Sequence, residues 1–318
     1  MQRLTEDKII LVTRPTRVAE LKRRFNTRMQ AKFYVNHLGQ DFSDYEREDQ
    51  QYDHAVQSAR QMLETQGRVQ MIDRSFLSNF VFGPNDVVIV LGQDGLVANT
   101  VKYLDGQPVI GVNPDPARWD GQLLPFAVKD LARIVPEVLQ RKRPMKSVTM
   151  ARATLNTGAT LYAVNDLFIG PRSHTSARYT ISLGKGREVQ SSSGVIVSTG
   201  VGSTGWFKSL LAGAAGIVQN LGTETARQEA RTHLAPKSEF PWDADYLCFT
   251  VREPFPSKTT QASLVFGRVT AHTPLVLESL MPEHGVIFSD GIESDFLEFK
   301  SGTKATITIA DKRGCLVV

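Results

Sequence analysis

The stretch DVVIVLGQDGLVANT, Asp86 to Thr100, carries the strongest architectural signal in the chain. Five apolar residues, Val87 to Leu91, run directly into Gly92, Gln93, Asp94 and Gly95. An uninterrupted apolar run of this length predicts a strand buried on both faces, the pattern of a parallel sheet covered by helices. Glycines just past the strand let the backbone approach a ligand closely. The helix predicted over 96–104 offers free N–H groups and the positive end of its dipole to a phosphate. Asp94 therefore falls on the sheet edge where open α/β folds bind ligands. It is either a turn-former or a working group, and this stretch alone is compatible with both.

Working outward, short apolar strands are predicted at 8–12, 68–72 and 108–113. Helices are predicted at 17–30, where Val18, Leu21 and Phe25 keep helical spacing, at 52–66, and at 126–143 with a kink at Pro136. The arginines of 17–30 read as the solvated face of that helix, and 39–50 as a polar connection. This alternation predicts an α/β domain with a parallel sheet over residues 1–143. The basic, proline-terminated junction Arg141, Lys142, Arg143, Pro144 then marks a change of character. Over 144–318 the pattern is mainly β, with strands at 147–155, 160–169, 178–183, 195–199, 246–251, 262–280 with interruptions, 286–288, 296–299 and 305–309. Gly158 and the Gly184–Gly186 segment are turns, one helix covers 204–221, and the polar segment 223–240 reads as a mobile loop.

At 318 residues the chain has room for two cores. A net charge of +4 is too small over this length to argue for nucleic acid, but it suits an anionic small molecule. The two cysteines, Cys248 and Cys315, lie in apolar β-like contexts without metal-type spacing, as expected of a reducing cytoplasm. The start, MQRLTEDKIILVTRP, is charged and strand-like rather than a signal peptide. No apolar run approaches the roughly 18 residues that a membrane helix needs.

Two further segments carry candidate chemistry. Ser198 to Ser209, STGVGSTGWFKS, follows an apolar strand and opens a helix, so its N–H groups suit an anion or a sugar. Gly200, Gly202 and Gly205 formally make G-x-G-x-x-G, but no second parallel strand follows as a Rossmann unit requires. A P-loop is narrowly missed, because Trp206 and Phe207 separate the last glycine from Lys208 and Ser209. A plain N-cap by Ser203 or Thr204 is the structural alternative. The second segment is Asn165-Asp166, an amide and a carboxylate inside a predicted strand, where both are poor formers. It is either a bulge or a pair set to hydrogen-bond a base and a sugar diol. Arg172 to Arg178 adds polar groups in no recognisable arrangement, and Asp290-Gly291 reads as a turn. His37, His54, His174, His233, His272 and His284 form no metal-binding pattern, and no G-x-S-x-G elbow is present.

The order and spacing of the Gly92–Gly95 turn, Asn165-Asp166 and Ser198–Trp206 resemble the NAD kinase family. That family is marked by a GGDG turn, an Asn-Glu or Asn-Asp pair and an STPTGST-like segment. VIGVNPDP, Val109 to Pro116, NDLFIG, Asn165 to Gly170, and the residues Ser192 to Gly194 are similar to its mitochondrial-type branch. The resemblance covers about residues 85–300. It implies an α/β domain related to phosphofructokinases and lipid kinases, then a β-rich NAD-binding domain, and a homodimer. The implied reaction moves the γ-phosphate of ATP, carried with Mg²⁺, to the 2′-hydroxyl of the adenosine ribose of NAD. By motif match Asp94 contacts or deprotonates that hydroxyl or orients the metal–phosphate group, and Gly92 and Gly95 shape the phosphate turn. Asn165 and Asp166 bind adenine and ribose, and Ser203, Thr204 and Ser209 line the nucleotide site. The sequence departs from the motif at Gln93, where the family has glycine, and at Leu96, where it has threonine. Glutamine is disfavoured there if the position needs positive φ. Two alternatives stand beside this: a sugar or lipid kinase, since these share the turn, and, because of Gln93 and Leu96, an NAD- or NADP-binding homologue without catalysis.

Overall fold

The computed structural model describes residues 4–229 and 239–318 and divides into two compact units. Unit 1 comprises Met1–Lys146 with Cys315–Val318, and unit 2 comprises Ser147–Gly314.

In unit 1 the order is β1 (Lys8–Thr13), α1 (Arg17–Phe25), α2 (Arg28–His37), α3 (Phe42–Glu64), β2 (Arg68–Asp73), β3 (Val87–Leu91), α4 (Asp94–Val101), β4 (Pro108–Asn113), β5 (Phe126–Ala127) and α5 (Leu131–Leu139). All of its strand pairs are parallel, in the order β2-β1-β3-β4 with β5 paired to β4. Val87 to Leu91 are buried on both faces, as the apolar run predicts. Ile89 and Leu91 pack with Tyr52, Ala55, Ala59 and Leu63 of α3 and with Ile134, Val135 and Val138 of α5.

Several boundaries differ from the sequence expectation. The basic segment 17–30 is two helices, because Asn26 turns the chain with φ of 63° and Thr16 and Thr27 each cap a new start. The polar stretch 39–50 is mostly helix: Asp41 accepts the N–H of Ser43, and α3 begins at Phe42, which is buried. Residues 126–143 hold β5, a short 3₁₀ turn and α5 rather than one helix, since Phe126 pairs with Val112 of β4.

Unit 2 contains β6 (Met145–Leu155, from Ser147 onward), β7 (Thr160–Ala163), β8 (Asp166–Pro171), β9 (Ala177–Leu183), β10 (Gly186–Ser192), β11 (Val195–Ser198), α6 (Trp206–Leu221), α7 (Glu224–Glu229), β12 (Leu247–Val251), β13 (Phe266–Val269), β14 (Leu275–Ser279), β15 (Gly285–Ser289), β16 (Ile292–Glu298) and β17 (Lys304–Val317, to Gly314). One antiparallel sheet runs β13-β12-β11-β8-β15-β16. A second runs β10-β9-β14-β17, with β6 paired to β17 and β7 to β6. Their facing side chains, including Leu167, Ile169, Val195, Phe249, Tyr179, Ile181, Leu277 and Ile307, form one core. The last residues of β17 belong to unit 1, where Cys315 and Leu316 pair in parallel with Pro108 and Val109 of β4.

The strand expected over 160–169 is two, split at Val164 and Asn165. The polar β10 has no counterpart in the sequence reading. Of the segment expected as a loop at 223–240, residues 224–229 form α7 and 230–238 lie outside the described residues. Among the described residues no helix is long and apolar enough to cross a membrane, and Cys248 and Cys315 are unpaired thiols.

Candidate functional site

In unit 1 the strand order 2-1-3-4 places the switch point between β1 and β3, and the Gly92–Gly95 turn leaves the carboxyl end of β3 beside it. Tyr52 ties the two strand ends: its hydroxyl donates to the Leu91 carbonyl at 2.8 Å and accepts the Arg14 N–H at 2.9 Å. Burial pushes that phenol up to about 12, so it remains a neutral donor. Gln93 is exposed and extended, with φ −125° and ψ 162°. The glycine of the family motif is therefore not required here by backbone conformation. Gly92 has Leu96 packed against it, whereas a methyl at Gly95 would meet nothing within 4 Å. Asp94 opens α4, and its carboxylate accepts the N–H groups of Gln122 at 3.0 Å and Leu123 at 2.8 Å. Each oxygen keeps acceptor capacity beyond those bonds.

In unit 2 the site follows from the alternation of β8. Leu167 and Ile169 point into the core, so Asp166, Phe168 and Gly170 share the opposite face. Pairing extends that face sideways: Ser198 lies opposite Asp166, Ile196 and Phe288 opposite Phe168, and Thr250 beyond Ile196. Phe168 stacks on Trp206 at 5.8 Å and on Phe288 at 6.2 Å. Its ring lies over Gly170 and Gly194, where a β-carbon would come within 2.6 Å of it. This aromatic row floors a cavity of about 470 Å³, whose lining includes Asp166, Asp290 and Glu293 together with Arg172, His174 and Arg252.

The Asn165-Asp166 step is set by Asp290. The Asp290 carboxylate accepts the N–H groups of Val164 at 3.1 Å, Asn165 at 2.7 Å and Asp166 at 3.3 Å, and its own N–H donates to the Asp166 carbonyl at 3.0 Å. These bonds take N–H groups that would otherwise continue a ladder, which is why the strand breaks there. The Asp166 side chain is only partly covered as a whole, but its Oδ1 is enclosed without a hydrogen-bond partner. Burial, and after it the Asp290 charge, raises its carboxyl to about 7, with the Ser198 hydroxyl acting the other way. Near neutral pH Asp166 thus carries a proton in a substantial fraction of molecules, able to donate as well as accept.

The Ser198–Ser209 segment is tightly packed. A β-carbon at Gly200 would stand 2.0 Å from the Pro241 carbonyl oxygen, and one at Gly202 2.2 Å from that of Asn165. The Thr199 hydroxyl donates to the Val164 carbonyl, and the Thr199 N–H to Asn165 at 2.9 Å. Ser203 is fully buried; its hydroxyl donates to the Gly200 carbonyl at 2.7 Å and accepts the Phe240 N–H at 3.3 Å. The hydroxyls of Thr204 and Ser209 donate to the carbonyls of Val201 and Gly205, both at 3.3 Å. Of the residues singled out by motif, Asp166 lines the cavity; Asn165 adjoins it in sequence, while Ser203, Thr204 and Ser209 do not line it. The segment's contribution to the lining is Trp206.

Sequence reasoning missed Asp290, Phe168, Trp206, Phe288, Arg172 and Arg252 as pocket residues. The alternation of NDLFIG held the signal for Phe168. Nothing local marked Asp290, whose partners lie about 125 positions away.

No family model matches the sequence, and no curated protein matches it. Solved structures do resemble the chain. An NAD kinase from Archaeoglobus fulgidus, in complex with ATP, matches with a TM-score of 0.54 at 14% identity, over 98% of this chain and 93% of its own. Yeast NADH kinase, complexed with NADH, matches with a TM-score of 0.55 at 15% identity, over 99% of this chain and 84% of its own. At these identities the likeness establishes the fold. The chain is built as the NAD and NADH kinases are, an α/β unit followed by an antiparallel β unit.

Proposed function

We propose that this protein is an NAD kinase-like phosphotransferase, moving the γ-phosphate of ATP to the 2′-hydroxyl of the adenosine ribose of NAD to give NADP. The observation that carries this reading is the unit 2 cavity, where an amide–carboxyl step adjoins a row of stacked aromatic rings. Phe168, Trp206 and Phe288 suit a planar base, and Asn165 and Asp166 suit the base edge and ribose hydroxyls. The shared fold with structures that hold ATP or NADH supports it further.

In this reading the Gly92–Gly95 turn and the first turn of α4 meet the ATP phosphates. The motif resemblance offers Asp94, oriented by the Gln122 and Leu123 N–H groups, as the carboxylate that assists the accepting hydroxyl. The hydroxyl oxygen attacks the γ-phosphorus, the bond to the β–γ bridging oxygen breaks, ADP leaves, and the hydroxyl proton passes to a carboxylate. Such transfers depend mainly on positioning and charge neutralisation. Magnesium enters as the ion carried by ATP, part of the substrate; among the described residues no three His, Cys, Asp or Glu side chains converge as a metal-holding group. The motif resemblance also supports a mitochondrial-type relationship and a homodimer, the latter read by sedimentation.

Incubation with ATP, Mg²⁺ and NAD is expected to yield NADP, and Asp94→Asn to reduce the rate at least 100-fold. Wild-type protein making no more NADP than that variant would sink the reading. A second reading, nucleotide binding without turnover, is favoured by Leu96, a buried side chain packed on Gly92 that leaves no hydroxyl at that position. It predicts NAD binding with no ATP-dependent product.

A further inference from the structure

The pocket face of unit 2 carries a charge gradient that the sequence motifs do not describe. Reading along β8, the face passes from Asp166 through Phe168 and Gly170 to Arg172, immediately after the strand. From Asp166 to Arg172 is six residues, roughly 20 Å of extended chain. The acid end gathers Asp166 and Asp290, the middle is aromatic, and the far end is basic. β11 runs antiparallel to both β8 and β12, so Arg172 and Arg252 leave their strands at the same sheet edge, flanking Ser193 and Gly194. One intervening strand separates their backbones by roughly 10 Å.

The Arg252 backbone is held firmly in place, and its guanidinium has only weak partners. Its N–H donates to the Gly194 carbonyl at 2.8 Å, and its carbonyl accepts the Ser193 N–H at 2.9 Å. The guanidinium lies over Trp206 at 5.4 Å. Its Nε is buried without a hydrogen-bond partner, so an anion in the cavity would be met by the terminal nitrogens of the guanidinium. The nearest carboxylate, Glu253, is 3.7 Å away on a largely exposed side chain, too long and too solvated to neutralise it. Glu253 itself has φ of 41°, an uncommon conformation for this residue type that turns the chain away directly after Arg252. Arg172 lines the same cavity, although its guanidinium lies over Phe296 of β16 at 4.1 Å, on the side of β8 away from β12.

We propose that Arg252 with Arg172 forms a diphosphate-reading subsite, holding the phosphates of a nucleotide whose base and sugar lie along the aromatic row toward Asn165 and Asp166. This deepens the proposed function and rests on its placing of the nicotinamide nucleotide in unit 2. Arg252 is then a specificity-determining residue: it separates phosphate-bearing nucleotides from bare nucleosides. Its planar fork suits two phosphate oxygens at once, which a lysine meets only as a point charge.

The test is calorimetric titration of the full chain with NAD and, separately, with adenosine. Arg252→Ala is expected to weaken NAD binding at least tenfold and adenosine binding less than twofold. Arg252→Lys should recover part of the NAD affinity, and added salt should weaken NAD binding more steeply in wild type than in Arg252→Ala. If Arg252→Ala fails to fold, Arg252→Gln, which keeps a long stem against Trp206, carries the same expectation. NAD binding that is unchanged in these uncharged variants, or lost equally for adenosine, overturns the subsite alone. Wild-type protein that binds neither ligand overturns both the subsite and the proposed function.

Discussion

Asp290 holds three successive N–H groups with one carboxylate, and Asp166 beside it keeps an enclosed oxygen with no partner. Removing the first leaves several backbone donors unsatisfied, so Asp290→Ala should lower stability by about 2–4 kcal/mol in urea unfolding. Asp290→Asn should lose less, because asparagine tolerates φ of 53° and still offers an acceptor. The linkage sign at Asp166 is opposite to that of a salt-bridged aspartate. Its carboxyl is raised to about 7 in the folded protein, above the unfolded value near 4, so stability falls as pH rises between those two values. Above pH 7 the folded state carries a charge that the unfolded chain solvates better, on the order of 2–4 kcal/mol. Asp166→Asn should flatten that slope, and unfolding at pH 5 and pH 8 measures it; an unchanged slope would show that Asp166 titrates normally. Gln93 illustrates what a motif conceals: its departure from glycine costs nothing conformationally, because the backbone there is extended.

At the scale of elements, the glycines of Ser198–Ser209 have a reason that spacing could not supply. Gly200 and Gly202 are glycines because the Pro241 and Asn165 carbonyls occupy the space of a side chain. Gly200→Ala should therefore destabilise by about 1–3 kcal/mol, whereas Gly213→Ala on α6, where a β-carbon meets nothing within 4 Å, should change thermal unfolding little. Equal losses at the two positions would refute the packing explanation. The strand character of β8 was legible within the expected 160–169 strand, but its pocket face was not read, although Leu167 and Ile169 alternate with Asp166 and Phe168. β10, GREVQSS, was not: Glu188 is satisfied by the Ser263 and Leu264 N–H groups and Tyr179 by Gln190 and Ser192, so polar side chains are buried without an apolar run. Helix α3 was shortened in the same way. Glu48 lies buried on it because Arg14 and Arg17 pair with it from residues more than thirty positions earlier.

For the molecule as a whole, the division into units is not a simple cut of the chain. Cys315–Val318 rejoin unit 1, where Leu316 and Val317 are buried and the strand end pairs with β4. Deleting 315–318 exposes that flank of β4 and should cost about 2–4 kcal/mol from the two apolar side chains. Limited proteolysis should then cut unit 1 faster than in the full chain. The return is invisible locally: the sequence marks a strand only over 305–309, whereas β17 runs unbroken to Val317 and nothing in its pattern marks the change of partner at Cys315.

The α/β character of the first part, the strand–turn–acid unit at Val87–Asp94 and the β character of the second part were legible in the chain alone. Each rests on local periodicity or on a short motif whose geometry the chain carries within a few residues. The tertiary structure alone decided that Asp290 sets the Asn165-Asp166 step, that Ser203 is buried rather than presented to a ligand, and that Arg172 and Arg252 share one sheet edge. The first and last of those outcomes depend on strand register, which brings together residues 80 to 125 positions apart, and Ser203 is closed in by Phe240, 37 positions on.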